Sequence, residues 1–137
     1  MPDRYCTQRR IEFADTDMAG IAHFSRFFIF MEAAEHEYWR HLGLSVHMQH
    51  DGDVISWPRA GASCDYRRPA RFEDELDIHL QIERQGGKTL TYQFDFLLDA
   101  ELIAHGQLKT ICCICNPGDD MRAIAIPDFI TERIAAP

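Results

Sequence analysis

Two aspartates and a glycine stand in the run Asp15-Thr16-Asp17-Met18-Ala19-Gly20-Ile21-Ala22-His23-Phe24. A strand-like stretch precedes this run and a long helical stretch follows it. A carboxylate just ahead of a helix lies beside free backbone N–H groups and the positive end of the helix dipole. Those N–H groups can hold the oxygen of a substrate carbonyl while the carboxylate attacks the carbon, or activates a water that attacks it. The pattern suits acyl transfer, with Asp17 as nucleophile or general base; spacing alone leaves both roles open. Asp15, two residues earlier, points the same way in extended geometry and is read as orienting the loop. Gly20 suits a positive φ or a close approach of substrate. His23 can donate to the acyl group or hydrogen-bond at the helix start.

The elements that must position these residues follow from hydrophobic periodicity. Residues 5–13 alternate, with Tyr5, Thr7, Arg9, Ile11 and Phe13 on one side, and predict a strand. Residues 24–42 predict the one long helix: Phe24, Phe27, Phe28, Met31, Ala34, Tyr38 and Leu42 recur at helical spacing. Ser25 falls at its cap and Gly43 at its stop. Ile29, Phe30 and Trp39 give the other face bulk, as expected of a helix surrounded by protein. Residues 45–53 are polar and read as a loop.

Four strand-like runs come next, at 54–68, 75–84, 88–98 and 102–115, with Gly86-Gly87 and Asp99-Ala100 as turns. In the first run Ala60, Ala62 and Cys64 leave room for a helix to approach. Residues 116–120 break the sheet, and 127–134 predict a short helix. The fold expected is α+β: one long central helix wrapped by a curved antiparallel sheet of about five strands, a single domain over 1–137. The far face and the edge of such a sheet need cover, which predicts a homodimer or homotetramer.

Composition bounds the function. The chain has 137 residues and a net charge of −8, which argues against nucleic-acid binding. No apolar run approaches the ~18 residues of a membrane span, and the N-terminal residues do not resemble a signal peptide, so no membrane partner and a cytoplasmic location are expected. Five cysteines fit reduced thiols. Cys112-Cys113-x-Cys115 lacks the partners of a zinc set and reads as packing, so no metal is expected. A calcium loop at Asp15 fails at Ala19 and Arg26. Ser63 has no nucleophile elbow around it. Glu35 falls within the apolar stripe of the helix and needs a partner; it is the second candidate for a catalytic carboxylate.

The run from Arg10 to Ile21, followed by an aromatic-rich helix with Phe27, Glu32 and Leu42-Gly43, resembles the 4-hydroxybenzoyl-CoA thioesterase family of hotdog-fold proteins. The run from Tyr66 to Leu76 is similar to that family's second recurring segment. The resemblance implies a hotdog fold, an active site at a dimer interface and hydrolysis of acyl-CoA thioesters. It implies Asp17 as the catalytic carboxylate and a carbonyl-polarising backbone N–H on or near Phe24. His23-Phe24 departs from the aromatic residue or Tyr-His pair often found there. Arg67, Arg68, Arg71 and Lys88, with Arg84, are candidates for the phosphates of coenzyme A, against the alternative of pairing with Glu73, Asp74 and Glu75. The partner expected is an acyl-CoA or an acyl-carrier protein. No cofactor is expected beyond coenzyme A as part of the substrate. The alternatives are a non-catalytic acyl-CoA-binding hotdog module and a hotdog enoyl-CoA hydratase or dehydratase.

Overall fold

The computed structural model of the chain describes residues 4–135, without the side chains of Arg84 and Ala135. The elements are β1 (Tyr5–Arg10), α1 (Arg26–His41), β2 (Met48–His50), β3 (Asp53–Ser56), β4 (Arg59–Tyr66), β5 (Glu75–Gln85), β6 (Thr89–Leu98), β7 (Glu101–Ile111), β8 (Cys113–Ile114), β9 (Arg122–Ala123) and α2 (Asp128–Ala135). They form an α+β protein. Its main sheet has five antiparallel strands in the order β1-β5-β6-β7-β4.

The two long alternating runs set the register of this sheet. Leu80 stands opposite Phe94, Phe94 opposite Gly106 and Gly106 opposite Cys64. One step along, Ile78, Phe96, Ala104 and Tyr66 form the parallel row. These rows face α1, which buries Phe27, Phe30, Met31, Ala34, Glu35 and Trp39. Each such large apolar side chain contributes about 1.5–3 kcal/mol on leaving water. The helix comes closest to the sheet at β7. A Cβ built on Gly106 would fall well inside contact distance of the Met31 sulfur. That close approach is what the strand glycine permits. Of the small residues expected to make this room on β4, Cys64 packs against the core opposite Gly106, while Ala60 and Ala62 are exposed.

Several expected bounds shift. The strand ends at Arg10 because Phe13–Asp15 coils into a 3-10 turn, which leaves Phe13 exposed. The helix starts at Arg26, after a turn at Phe24 and Ser25, so Phe24 does not join its buried stripe. Residues 48–50 form a strand rather than a loop, turning at Asp51-Gly52 into β3. The run at 54–68 breaks at Trp57-Pro58, and the run at 102–115 breaks at Cys112. The pieces split off, β3 and β8, join β2 and β9 in a second sheet of four short strands.

The far face of the main sheet needs no apolar cover. It carries polar side chains that bond one another: His105 contacts Asp95 and Gln93, and Gln93 and Gln107 donate to Glu83. The edge is a different matter. Among the described residues β4 pairs only with β7, and most of the strand is exposed, with Cys64 half-buried.

Gly106→Ala is expected to lower unfolding stability by about 1–3 kcal/mol, because the buried Met31 must be displaced. Urea unfolding checks this. Met31→Ala in the same chain recovers part of the cost; a Gly106→Ala variant as stable as the parent contradicts the packing described.

Candidate active site

A buried carboxylate organises the segment between β1 and α1. Asp15 is 1% exposed. Its Oδ2 accepts the Glu12 N–H at 2.8 Å, and its Oδ1 accepts both Nε and Nη2 of Arg26 at 2.8 Å. Its backbone carbonyl takes the His23 N–H at 2.8 Å. A buried charge is tolerated only when paired in this way. Asp15 thus ties the strand end to the first residue of the helix. It does not point with Asp17, because the 3-10 turn at 13–15 breaks the extended geometry.

Asp17 sits in the small loop that this clamp closes. Its backbone N–H donates to the Ile21 carbonyl at 2.9 Å, and its carbonyl accepts the Gly20 N–H at 3.0 Å. Gly20 has φ of +80° with open space where a side chain would go, so conformation rather than crowding requires the glycine. One carboxylate oxygen, Oδ1, accepts the Ala19 N–H at 2.8 Å and the Ile21 N–H at 3.4 Å. The other oxygen, Oδ2, has no partner among the described residues. The carboxylate is half-buried and oriented, with one oxygen bonded and the other unpaired among the described residues.

The chain from His23 to Ser25 leads into α1. His23 Nδ1 lies 2.7 Å from Ser25 Oγ and accepts the Ser25 N–H at 3.3 Å. Nε2 of His23 has no partner among the described residues. Ser25 therefore serves the His23 ring rather than a helix N–H. Among the described residues the Phe24 N–H has no acceptor. The Phe24 carbonyl accepts the Tyr66 hydroxyl at 2.7 Å. Nothing in the pattern of Tyr66 alone pointed to this contact, although its alternation with Cys64 puts it on the helix side of β4. Exposed apolar side chains surround the loop: Met18, Phe24, and the edge-on pair Phe13 and Phe72.

The basic residues divide. Arg71 pairs through its backbone with Ile21, beside the Asp17 loop. Arg67 and Arg68 follow β4 and donate their N–H groups to the Ile103 carbonyl; the Arg68 side chain pairs with Glu101 at 2.6 Å. Lys88 lies in the β5–β6 hairpin, at the end of the sheet opposite the Asp17 loop, so a single chain does not bring it to Asp17. Glu35 finds its partner: Arg59 holds Oε2 at 2.9 Å and Oε1 at 2.6 Å and reaches Glu32 at 3.1 Å. Burial lowers the Arg59 guanidinium's pKa, but the bonds and charge of Glu35 and Glu32 more than offset it, for a net rise. Both Glu35 oxygens are occupied, which is a structural role. Among the described residues no group of three His, Cys, Asp or Glu is arranged to hold a metal ion.

An α+β chain with an oriented carboxylate ahead of its main helix defines a class, and comparison with known proteins gives the class its family. Residues 19–101 match the thioesterase superfamily, and the chain belongs to it. A 1,4-dihydroxy-2-naphthoyl-CoA hydrolase of Synechococcus sp. (strain CC9605) is 28% identical over 133 residues, covering 93% of this chain and 87% of the relative. In fold the chain is similar to the 1,4-dihydroxy-2-naphthoyl-CoA thioesterase of Synechocystis (TM-score 0.83, 23% identity, 96% of each chain). It is also similar to 4-hydroxybenzoyl-CoA thioesterase of Pseudomonas sp. strain CBS-3 (TM-score 0.81, 22% identity, 95% of this chain and 98% of the other). The fold is the hotdog fold of these enzymes, and the chain is a thioester hydrolase by family. No helix among the described residues is long and apolar enough to cross a membrane.

Asp15→Ala is expected to cost about 2–4 kcal/mol of stability, since it strands the Arg26 guanidinium and the Glu12 N–H. The double variant with Arg26→Ala costs less than the sum of the single variants. Urea unfolding of all four proteins checks this; strict additivity contradicts the clamp.

Proposed function

We propose that this protein is an acyl-CoA thioesterase centred on Asp17, with the Phe24 N–H as its oxyanion donor. The observation that carries the reading is the state of the Asp17 carboxylate. One oxygen is held by the amides of Ala19 and Ile21, and the other is free, in a loop that leads to an N–H without an acceptor at the start of α1. Both chemical roles balance on that oxygen. As a nucleophile, Oδ2 bonds to the thioester carbon, the C–S bond breaks and the thiolate takes a proton from solvent; water then cleaves the mixed anhydride. As a general base, Oδ2 takes a proton from water as the water oxygen bonds to the carbon, and returns it to the leaving sulfur. In either case the negative charge that develops on the carbonyl oxygen is met by the Phe24 N–H and the positive end of the helix. Gly20 shapes the loop, and His23, whose Nε2 is unpaired among the described residues, is a second donor for the acyl group.

The rest of the reading follows from the surroundings. Residues 1–137 act as one domain, with α1 as the central helix around which the main sheet curves. Arg67 and Arg71 take phosphates of the coenzyme A arm, and Arg68 joins them by exchanging Glu101 for phosphate. The open β4 edge supports a homodimer or homotetramer, in which Lys88 contributes from a second copy. Exposed Met18, Phe24 and Phe72 suit an apolar acyl group or the cover a second copy gives. An aromatic acyl group is favoured by what the relatives are named to act on; an acyl-carrier protein presents the same arm. No further cofactor is required by either chemistry. Free cysteines, among the described residues, fit a reducing cytoplasm.

Thiol release from a panel of aryl-, short- and long-chain acyl-CoAs tests the reading. Asp17→Asn keeps an oxygen for the loop amides, so it is expected to fold normally and to lose about 10³-fold or more in kcat. Glu35→Gln is expected to stay within about threefold of the parent. Full activity in folded Asp17→Asn, or its loss in folded Glu35→Gln, moves the catalytic carboxylate elsewhere. Ligand binding without thiol release from any acyl-CoA supports the binding-module alternative, and addition of water across an enoyl-CoA supports the hydratase.

A further inference from the structure

The hydroxyl of Tyr66 donates to the backbone carbonyl of Phe24 at 2.7 Å, and the chemistry above makes no use of it. We propose that Tyr66 is a positioning residue that aims the Phe24 N–H at the reacting carbonyl by fixing the peptide group that follows it. The proposal rests on the assignment of Phe24 as the oxyanion donor and names the group that holds it in place.

Phe24 is fixed through the two peptide groups that flank its Cα rather than through its side chain. It precedes the first hydrogen-bonded turn of α1, and its own ring is 62% exposed, touching His23 at 4.6 Å. The direction of its N–H is set by the peptide groups on either side. On the N-terminal side, the His23 carbonyl, in the same peptide as the Phe24 N–H, accepts the Arg26 N–H at 2.9 Å, and the His23 N–H is tied to the Asp15 carbonyl. On the C-terminal side, the Ser25 N–H meets His23 Nδ1, and the carbonyl of that same peptide receives the Tyr66 hydroxyl. Remove the hydroxyl and this carbonyl can rotate, carrying the Phe24 backbone with it. A donor contributes to an oxyanion only when it is aimed before the charge appears, because reorientation during reaction costs what preorganisation saves.

Tyr66 is 43% exposed, and the side of its ring that faces the helix is anchored. It is the last residue of β4 and faces the helix, in one row with Ala104 and Phe96. Its ring meets Phe27 edge-on at 5.3 Å, and Phe27 meets Phe96 in the same way at 5.2 Å. The ring is thus held by the core while its hydroxyl reaches the site. Burial of the hydroxyl, helped by the Cys64 thiol beside it, pushes the Tyr66 phenol up to about 12. Burial likewise pushes that thiol up to about 11. Neither ionises near neutral pH, so the donor persists across the range in which a thioesterase works.

Tyr66→Phe keeps the ring and removes only the hydroxyl. In thiol release from the best acyl-CoA of the panel, kcat is expected to fall about tenfold with KM within about twofold, a loss confined to the transition state. The thermal midpoint is expected to change by only a few degrees. A fluorotyrosine at position 66 restores a donor of the same shape and is expected to return kcat to within about twofold of the parent; it also serves if Tyr66→Phe fails to fold. Unchanged kcat in Tyr66→Phe, a loss through KM alone, or a loss that fluorotyrosine does not repair overturns the positioning role. If the parent turns over and Asp17→Asn does not, those results sink only this inference. If the parent releases no thiol from any acyl-CoA, the assignment of the site falls and this inference falls with it.

Discussion

The arrangement of the candidate site depends on one buried ion pair. Asp15 is almost wholly removed from water, and it survives there because Arg26 and the Glu12 N–H occupy its oxygens. The pair joins the segment after an edge strand to the first residue of the helix, and so closes the connection of residues 11–25 between them. With both ends fixed, the intervening loop is short enough to be closed by its own backbone bonds, and Asp17 is presented by those bonds rather than by packing. The carboxylate of Asp17, the proposed reactive group, is therefore half-exposed while the carboxylate that organises its loop is buried. Two aspartates two residues apart have opposite environments and different tasks.

A second polar cluster fixes the helix further along. Arg59 starts β4 and grips Glu35 on α1. The Tyr92 hydroxyl, which accepts the indole N–H of Trp39 at 2.9 Å, lies against the same carboxylate. Burial, and then the Glu35 charge, push the Tyr92 phenol well up, so it stays a hydroxyl. This cluster anchors one end of β4 to the helix, and the Tyr66–Phe24 bond ties the other end. Removal of either partner of a buried pair is far more damaging than the pair is stabilising, which makes such clusters effective at specifying a single arrangement. An exposed edge strand held at both ends can stay straight and available for pairing.

The sequence made some of this legible, and the reasons for the rest are physical. β5 and β6 were readable because every second residue is apolar and each strand is long. Asp17, Gly20 and the helix behind them were readable because turn, carboxylate and amphipathic run follow in order. The direction of Asp15 was not, since extended geometry was assumed where Glu12 and Asp15 cap each other across a 3-10 turn; the three-residue spacing of two acidic groups was the available signal. The second sheet went unseen because β8 and β9 have two residues each, too few for periodicity, although Pro58 did mark the break between β3 and β4. The small residues of β4 marked the approach of helix and sheet only at Cys64; the closest approach is at its partner Gly106, a glycine inside a strand pattern. Tyr66 bonds a backbone carbonyl 42 residues away, and no local pattern encodes such a contact.

The central claim is that a substrate carbonyl is received by the Phe24 N–H beside Asp17. The most direct measurement is the amide NMR spectrum of protein labelled with ¹⁵N at its nine phenylalanines, titrated with a non-hydrolysable ketone analogue of an acyl-CoA. Specific labelling of the His23–Phe24 peptide, with ¹³C on histidine, identifies the Phe24 signal. The account predicts that this amide proton moves downfield on binding, and by more than those of buried Phe94 and Phe96. Saturable binding that leaves the Phe24 amide in place while other sites respond contradicts it.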